Sequence, residues 1–202
     1  MRPLLFLALF LYITGFIGII AFHVSRKRRL EISSSALILT GLFSHTAAIA
    51  IRTYGTGRLP VANVGETLLF YSWAAALISA IVILRYGERF TELITMPLVC
   101  LALFLSLGGM PEPGPLPLIL RTYWFEAHVI TSFAAYALFT LAFSGAVLYI
   151  GGGRRLYWQG KEISDFQDIA VRGVLWGFFF FSASMFAGAV WGYLAWGSYW
   201  LW

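Results

Sequence analysis

Three histidines and a cluster of tryptophans carry most of the chemistry this sequence can offer. The stretch "WGYLAWGSYWLW", Trp191 to Trp202, holds four of the eight Trp in the 202-residue chain, interrupted by Gly192 and Gly197. The spacings of 5, 4 and 2 do not keep one helix face, although Trp196 and Trp200 can share one. One reading is an aromatic belt, in which indoles gather at a membrane boundary because the ring is apolar and the N–H stays wet. The other is a binding platform. Glycines between indoles permit a tight turn or the close approach of a flat group, and a shelf of indoles suits a large planar aromatic ligand through offset stacking.

At a membrane surface, haem has that shape, and its iron takes axial ligands, commonly His. His128 opens the fifth apolar segment of the chain and is expected level with the tryptophans, with Tyr123 and Trp124 close by. The alternative for His128 is a solvated interfacial side chain. His45 lies inside the second apolar segment, about seven residues from its end, or roughly 10 Å deeper. An ionisable residue at membrane depth is a functional candidate; a neutral imidazole bonded to a neighbouring helix is the competing reading. The depth offset makes His45 a poor second ligand to an iron held by His128. His23 sits at the far end of the first segment beside a run of basic residues and reads as interfacial.

Other chemistries are excluded early. Cys100 is the single cysteine, so there is no intramolecular disulfide, no CxxC redox pair and no zinc-finger spacing. The absence of CxxCH means the chain is not itself a c-type cytochrome. No side chain is assigned as acid, base or nucleophile.

The elements that must position these residues follow from composition. The chain is 60% hydrophobic and 11% charged, against roughly 25% charged for soluble domains. Apolar residues come in blocks, and a bilayer core about 30 Å thick needs about 20 of them per helix. Six blocks stand out: Pro3–Phe22, Ser35–Ile51, Thr67–Leu84, Leu93–Leu107, His128–Ile150 and Val171–Val190. The expected fold is all-α, a polytopic integral membrane protein with six transmembrane helices forming one membrane domain over residues 1–202. The first block is too long for a signal-peptide core and has its basic residues after it rather than before.

Ten of the fourteen Lys and Arg lie in the loops after the first, third and fifth blocks. By the positive-inside rule those loops are cytoplasmic, which places the N-terminus, the Arg52–Glu66 loop, the Gly108–Ala127 loop and the Trp-rich end outside. The net charge of +5 is thus a topology signal rather than a nucleic-acid footprint. "GGMPEPGPLPL" has four prolines and reads as an external loop. Ser164 with Gln167 reads as a capping box opening the sixth helix.

Three stretches carry a family resemblance. "GAVWGYLAWGSYWLW" resembles the tryptophan-rich WWD motif of cytochrome c assembly proteins, the CcsA/ResC branch of system II haem handling. "LPVANVGETLLFYSW" (Leu59–Trp73) resembles the family's outer-loop-to-helix motif, and "RTYWFEAHVITSFAAYALFTLAFSGAVLYI" (Arg121–Ile150) resembles the segment whose His precedes the WWD loop. The similarity runs from about Pro60 to Trp202.

The resemblance implies haem b held on the outer face of a bacterial inner membrane and presented to the CxxCH of an apocytochrome c, beside a partner of the CcsB/ResB type. It implies His128 as an axial ligand and Trp191, Trp196, Gly197, Trp200 and Trp202 as the platform. Asn63, Glu66 and Trp73 match the earlier motif without an assigned chemical role, and His45 and His23 match no family ligand. The family pattern continues past its last Trp with Asp-Pro-Lys-Glu and a further external histidine, whereas this sequence ends at Trp202; Leu201 and Gly65 also depart from the pattern. One axial ligand from this chain leaves the iron five-coordinate or completed by a partner. The resemblance thus implies a component of a cytochrome c synthase (haem lyase). A haem conduit using His45, or a non-catalytic regulatory or scaffolding relative, stands as the alternative.

Overall fold

Long apolar runs between charged or glycine punctuation become helices, because a chain in lipid must satisfy its backbone internally. The computed structural model describes residues 1–109, 117–152, 155–158 and 161–200, with backbone alone for 155–158 and 161–164. It contains α1 (Arg2–Ser25), α2 (Arg28–Thr56), α3 (Val64–Tyr86), α4 (Glu92–Gly108), α5 (Tyr123–Gly152) and α6 (Phe166–Trp196). Each of these helices is longer than the apolar block that announces it. Polar and aromatic residues at block ends, such as Tyr123 and Glu126, still meet helical geometry and extend the rods by a turn or more.

Five of the six are long and apolar enough to cross a membrane. α4 is the shorter one. α4 has 17 residues and an internal Pro97, which gives about 25 Å of rise against a core of about 30 Å. It is nonetheless central: Met96, Val99 and Leu103 are fully buried, and α4 packs against α1 and α3. α1 and α2 form an antiparallel pair, α5 lies on α3, and α6 runs along α5.

The α5–α6 seam is tight because it is built from small residues, as helix contacts in lipid tend to be. A Cβ added at Gly173 would lie 2.9 Å from Ala142 Cβ. On its other side α6 exposes Leu175, Phe178, Phe179 and Phe186, a face suited to lipid.

Two local expectations change. The start of α6 is capped by Asp165, whose side chain accepts a hydrogen bond from the Asp168 amide at 3.0 Å, rather than by Ser164 with Gln167. The α5–α6 connection also carries a small antiparallel hairpin, β1 (Arg155–Trp158) with β2 (Lys161–Asp165), inside a segment expected as plain connection. Pairing through Asp165 shifts the helix start one residue past Ser164. The proline-rich stretch 110–116 lies outside the described residues.

Candidate functional site

His128 sits near the start of α5, and its ring crosses to α6. Nδ1 lies 2.8 Å from the Ser184 carbonyl oxygen. A carbonyl only accepts, so Nδ1 carries the proton and donates, and Nε2 keeps its lone pair. Two hydroxyls pin the same backbone. Ser132 Oγ donates to the His128 carbonyl at 2.7 Å and lies 2.5 Å from Ser184 Oγ, and Ser184 Oγ donates to the His128 carbonyl at 3.2 Å. The ring fits only because residue 188 lacks a side chain: a Cβ on Gly188 would stand 2.7 Å from His128 Nδ1.

The indoles gather around this imidazole. Trp191, one turn beyond Gly188, stacks near-parallel to His128 at 19° with 6.3 Å between centroids. It also meets Phe125 at 5.2 Å and Trp196 at 4.9 Å. Its Nε1 donates to the Ile119 carbonyl at 2.9 Å, which ties α6 to the short 3-10 turn at Leu118–Leu120.

Gly197, at φ 73, ends α6 in the left-handed region, where a residue with a Cβ is strained. The chain turns back there. Tyr199 stacks on Tyr193 at 4.5 Å, Ser198 Oγ donates to the Trp200 carbonyl at 2.8 Å, and Trp200 returns toward the helix. His128, Trp191, Trp196 and Trp200 thus line one cavity of about 330 Å³, together with Met185 and Gly188. Trp196 and Trp200 do not share a helix face, because the helix has ended between them.

The other sequence candidates lie elsewhere. Trp202 falls outside the described residues. Trp124 meets the edge of Phe186 at 6.1 Å and does not line the cavity. Asn63 caps α3, accepting from the Glu66 amide at 3.0 Å. Glu66 is fully buried between two guanidiniums: Arg52 donates to Oε1 at 2.6 Å and Arg58 to Oε2 at 2.8 Å. The Ala62 amide adds a third contact, donating to Oε2 at 2.9 Å. Together they clamp the α2–α3 loop onto the helices. Trp73 Nε1 donates to Thr46 Oγ1 at 2.9 Å.

His45 is fully buried, with its Nδ1 3.4 Å from the Tyr12 hydroxyl. His23 donates from Nδ1 to the Ile19 carbonyl at 2.7 Å and packs on Phe90. Neither reaches the tryptophan cavity. Among the described residues no group of three or more His, Cys, Asp or Glu is placed to hold a metal ion, and His128 is the one histidine among the described residues lining the cavity.

Sequence reasoning missed Ser132, Ser184 and Gly188. Their signal was available in part. Ser132 stands one turn after His128, and Ser184, Gly188 and Trp191 follow an i, i+4, i+7 stripe on α6. That this stripe faces His128 is a fact of helix pairing alone.

Comparison with known proteins gives a consistent neighbourhood. A family model described as "Cytochrome C assembly protein" matches residues 61–202. The "Cytochrome c biogenesis protein CcsA" of Synechococcus sp. (strain CC9311) is 24% identical, over 100% of this chain and 79% of the relative. CcsA of Synechococcus sp. (strain CC9902) is 27% identical over 78% of this chain and 62% of the relative. "Protein NrfI" of Wolinella succinogenes is 24% identical over 96% of this chain but 22% of its own length. The chain therefore spans only part of each relative.

Proposed function

Because this chain belongs to the cytochrome C assembly protein family, we propose that it is a membrane component of cytochrome c maturation which holds haem at its tryptophan-bearing end. The observation that carries this reading is the His128 imidazole, proton fixed on Nδ1 by the Ser184 carbonyl, standing at an indole-lined cavity. Metal-binding histidines characteristically donate their second N–H to a carbonyl or carboxylate, which fixes the tautomer and raises the basicity of the ligating nitrogen. Here the lone pair is on Nε2, and Trp191, Trp196 and Trp200 supply flat apolar surface for a porphyrin face. The cavity, about 330 Å³, is at the small end for ligand sites, which run from roughly 300 to 1,000 Å³. It suits an edge-held macrocycle with the rest turned toward a partner.

Bound haem b supplies the vinyl groups to which the thiols of an apocytochrome c CxxCH are joined. The chain's own contribution is to bind, orient and shield: His128 Nε2 would hold the iron, the indoles would form a shelf, and Gly197 is the turn that folds Trp200 back. Such positioning is a proximity effect. The CxxCH substrate comes from an apocytochrome c, with a CcsB/ResB-type subunit the natural companion. Residues 1–202 act as one membrane unit in a bacterial inner membrane, N-terminus and tryptophan end outside, because ten basic residues crowd the opposite side. His45 serves the α1–α2 contact through Tyr12 rather than a haem path, since its ring is fully enclosed.

The test is haem content of detergent-purified protein expressed with haem supplied. His128→Ala should abolish or strongly lower the Soret absorbance while His23→Ala leaves it unchanged. Equal loss in both variants, or none in either, removes the assignment.

A further inference from the structure

At the end of the bundle opposite His128, the chain buries two acids close together, Glu88 at 4% exposure and Glu92 at 0%. Glu88 has partners: its carboxylate accepts from the Phe90 amide and from Thr91 Oγ1, each at 2.5 Å. Glu92, in the first turn of α4, has none. Neither of its carboxyl oxygens has a hydrogen-bond partner among the described residues, and Ser79 of α3 faces it without a hydrogen bond of ordinary geometry. The charged groups that bear on it are Glu88, which repels a second negative charge, and Arg89. Arg89 is turned to Glu31, Ser35 Oγ and the Gly87 carbonyl, and α1 brings His23 and Arg26 against Phe90. An ionised carboxylate enclosed without donors costs far more than binding a proton does. Glu92 is therefore a neutral acid.

It lies between a route in and a route onward. Glu88 also lines a cleft of about 400 Å³ between α3 and α6, so water in that cleft reaches the carboxylate next to Glu92. On the inward side, Thr95 stands one turn along α4, with its Oγ1 2.8 Å from Ser144 Oγ of α5. Thr140, about 6 Å further along α5, has its Oγ1 2.8 Å from the Tyr71 hydroxyl of α3. Hydroxyls both donate and accept, which is the chemistry of a proton relay.

We propose that Glu92 is a proton-binding site inside the bundle, loaded from the α3–α6 cleft through Glu88. A Glu88 carboxylate oxygen takes a proton from water in the cleft, leaving hydroxide. The O–H bond on Glu88 then breaks as one forms on an ionised Glu92, so one negative charge passes from Glu92 to Glu88. The site is independent of the haem reading, and its readout needs no haem.

Infrared spectroscopy of the full chain in phosphatidylcholine vesicles reads this site directly. A protonated carboxyl has a C=O stretch separate from the amide bands, and the stretch moves to lower frequency when deuterium replaces the proton. At neutral pH the unmodified protein should show that band and Glu92→Gln should lose it. On rapid mixing with D2O the band should shift. In Glu88→Gln, which keeps an oxygen to accept from Phe90 and Thr91, the shift should be about a hundredfold slower, the low end of what a positioned proton-transfer side chain contributes. Thr95→Val, on the inward side, should leave the rate unchanged. No band at neutral pH, or a band that does not exchange, overturns the proposal, and both readings come from the unmodified protein. So does a band that survives in Glu92→Gln, an exchange rate that Glu88→Gln leaves as it was, or one that Thr95→Val slows instead.

Discussion

At the scale of single residues, His128 is defined less by its own type than by what it touches. A histidine at a membrane boundary can be solvated and idle; this one gives its Nδ1 proton to a backbone carbonyl, which commits Nε2 to be the available donor. Gly188 is the permissive partner, because a methyl there would sit 2.7 Å from Nδ1. Gly188→Ala should displace the ring, break its bond to Ser184 and reduce haem affinity by about 10- to 100-fold, the usual cost of losing an outer-shell partner. Ser184→Ala is the contrasting change. It removes a hydroxyl but leaves the carbonyl, so haem content measured by Soret absorbance should stay near that of the unmodified protein. A large loss in Ser184→Ala with none in Gly188→Ala would contradict the assigned roles.

At the scale of elements, the site depends on where two helices stop and start. α6 must end at Gly197 for Trp200 to fold back onto the cavity. Gly197→Ala should cost about 1–2 kcal/mol in the left-handed conformation, or relieve that strain by extending α6 and carrying Trp200 away. Either way haem content should fall while helix content by circular dichroism is kept or rises.

The N-terminal end of α3 has a different role. Glu66 holds two buried guanidiniums, and removing one partner of a buried charge group leaves the others uncompensated at about 3–5 kcal/mol. Glu66→Gln should therefore lower the thermal midpoint in detergent sharply. Trp73→Phe, which removes a hydrogen bond to Thr46 and trims a ring packed on Phe70 but leaves no charge uncompensated, should lower it less.

At the scale of the whole molecule, the helices alternate so that the Trp191 cavity, the Glu66 clamp and Gly109 share one end, with the basic run at Arg26–Arg29 at the other. The charge bias sets the expected orientation. A Cys100→Ser background carrying Ser198→Cys should react with a membrane-impermeant thiol reagent from outside intact cells. The same background carrying Lys27→Cys should react only after permeabilisation. The reverse pattern would invert the topology and place the indole cavity in the cytoplasm.

The amino-acid sequence alone determined that this is a helical membrane protein, which segments are apolar, and which residue types cluster near Trp191. Those properties are local: hydrophobic runs, punctuation and composition act within a few residues of themselves. It also carried the family likeness, through the tryptophan stretch and the segments around Glu66 and His128. It did not determine that Asp165 displaces Ser164 as the cap, or that a hairpin joins α5 to α6.

Only the tertiary structure decided which of the candidates meet. His128, Trp191, Trp196 and Trp200 converge because Gly173 and Ala142 let α5 and α6 approach closely and Gly197 reverses the chain. Glu66, by contrast, turned inward to hold arginines. Side chains far apart in sequence are brought within contact distance by packing between helices, and no single stretch of sequence encodes the partner it will face.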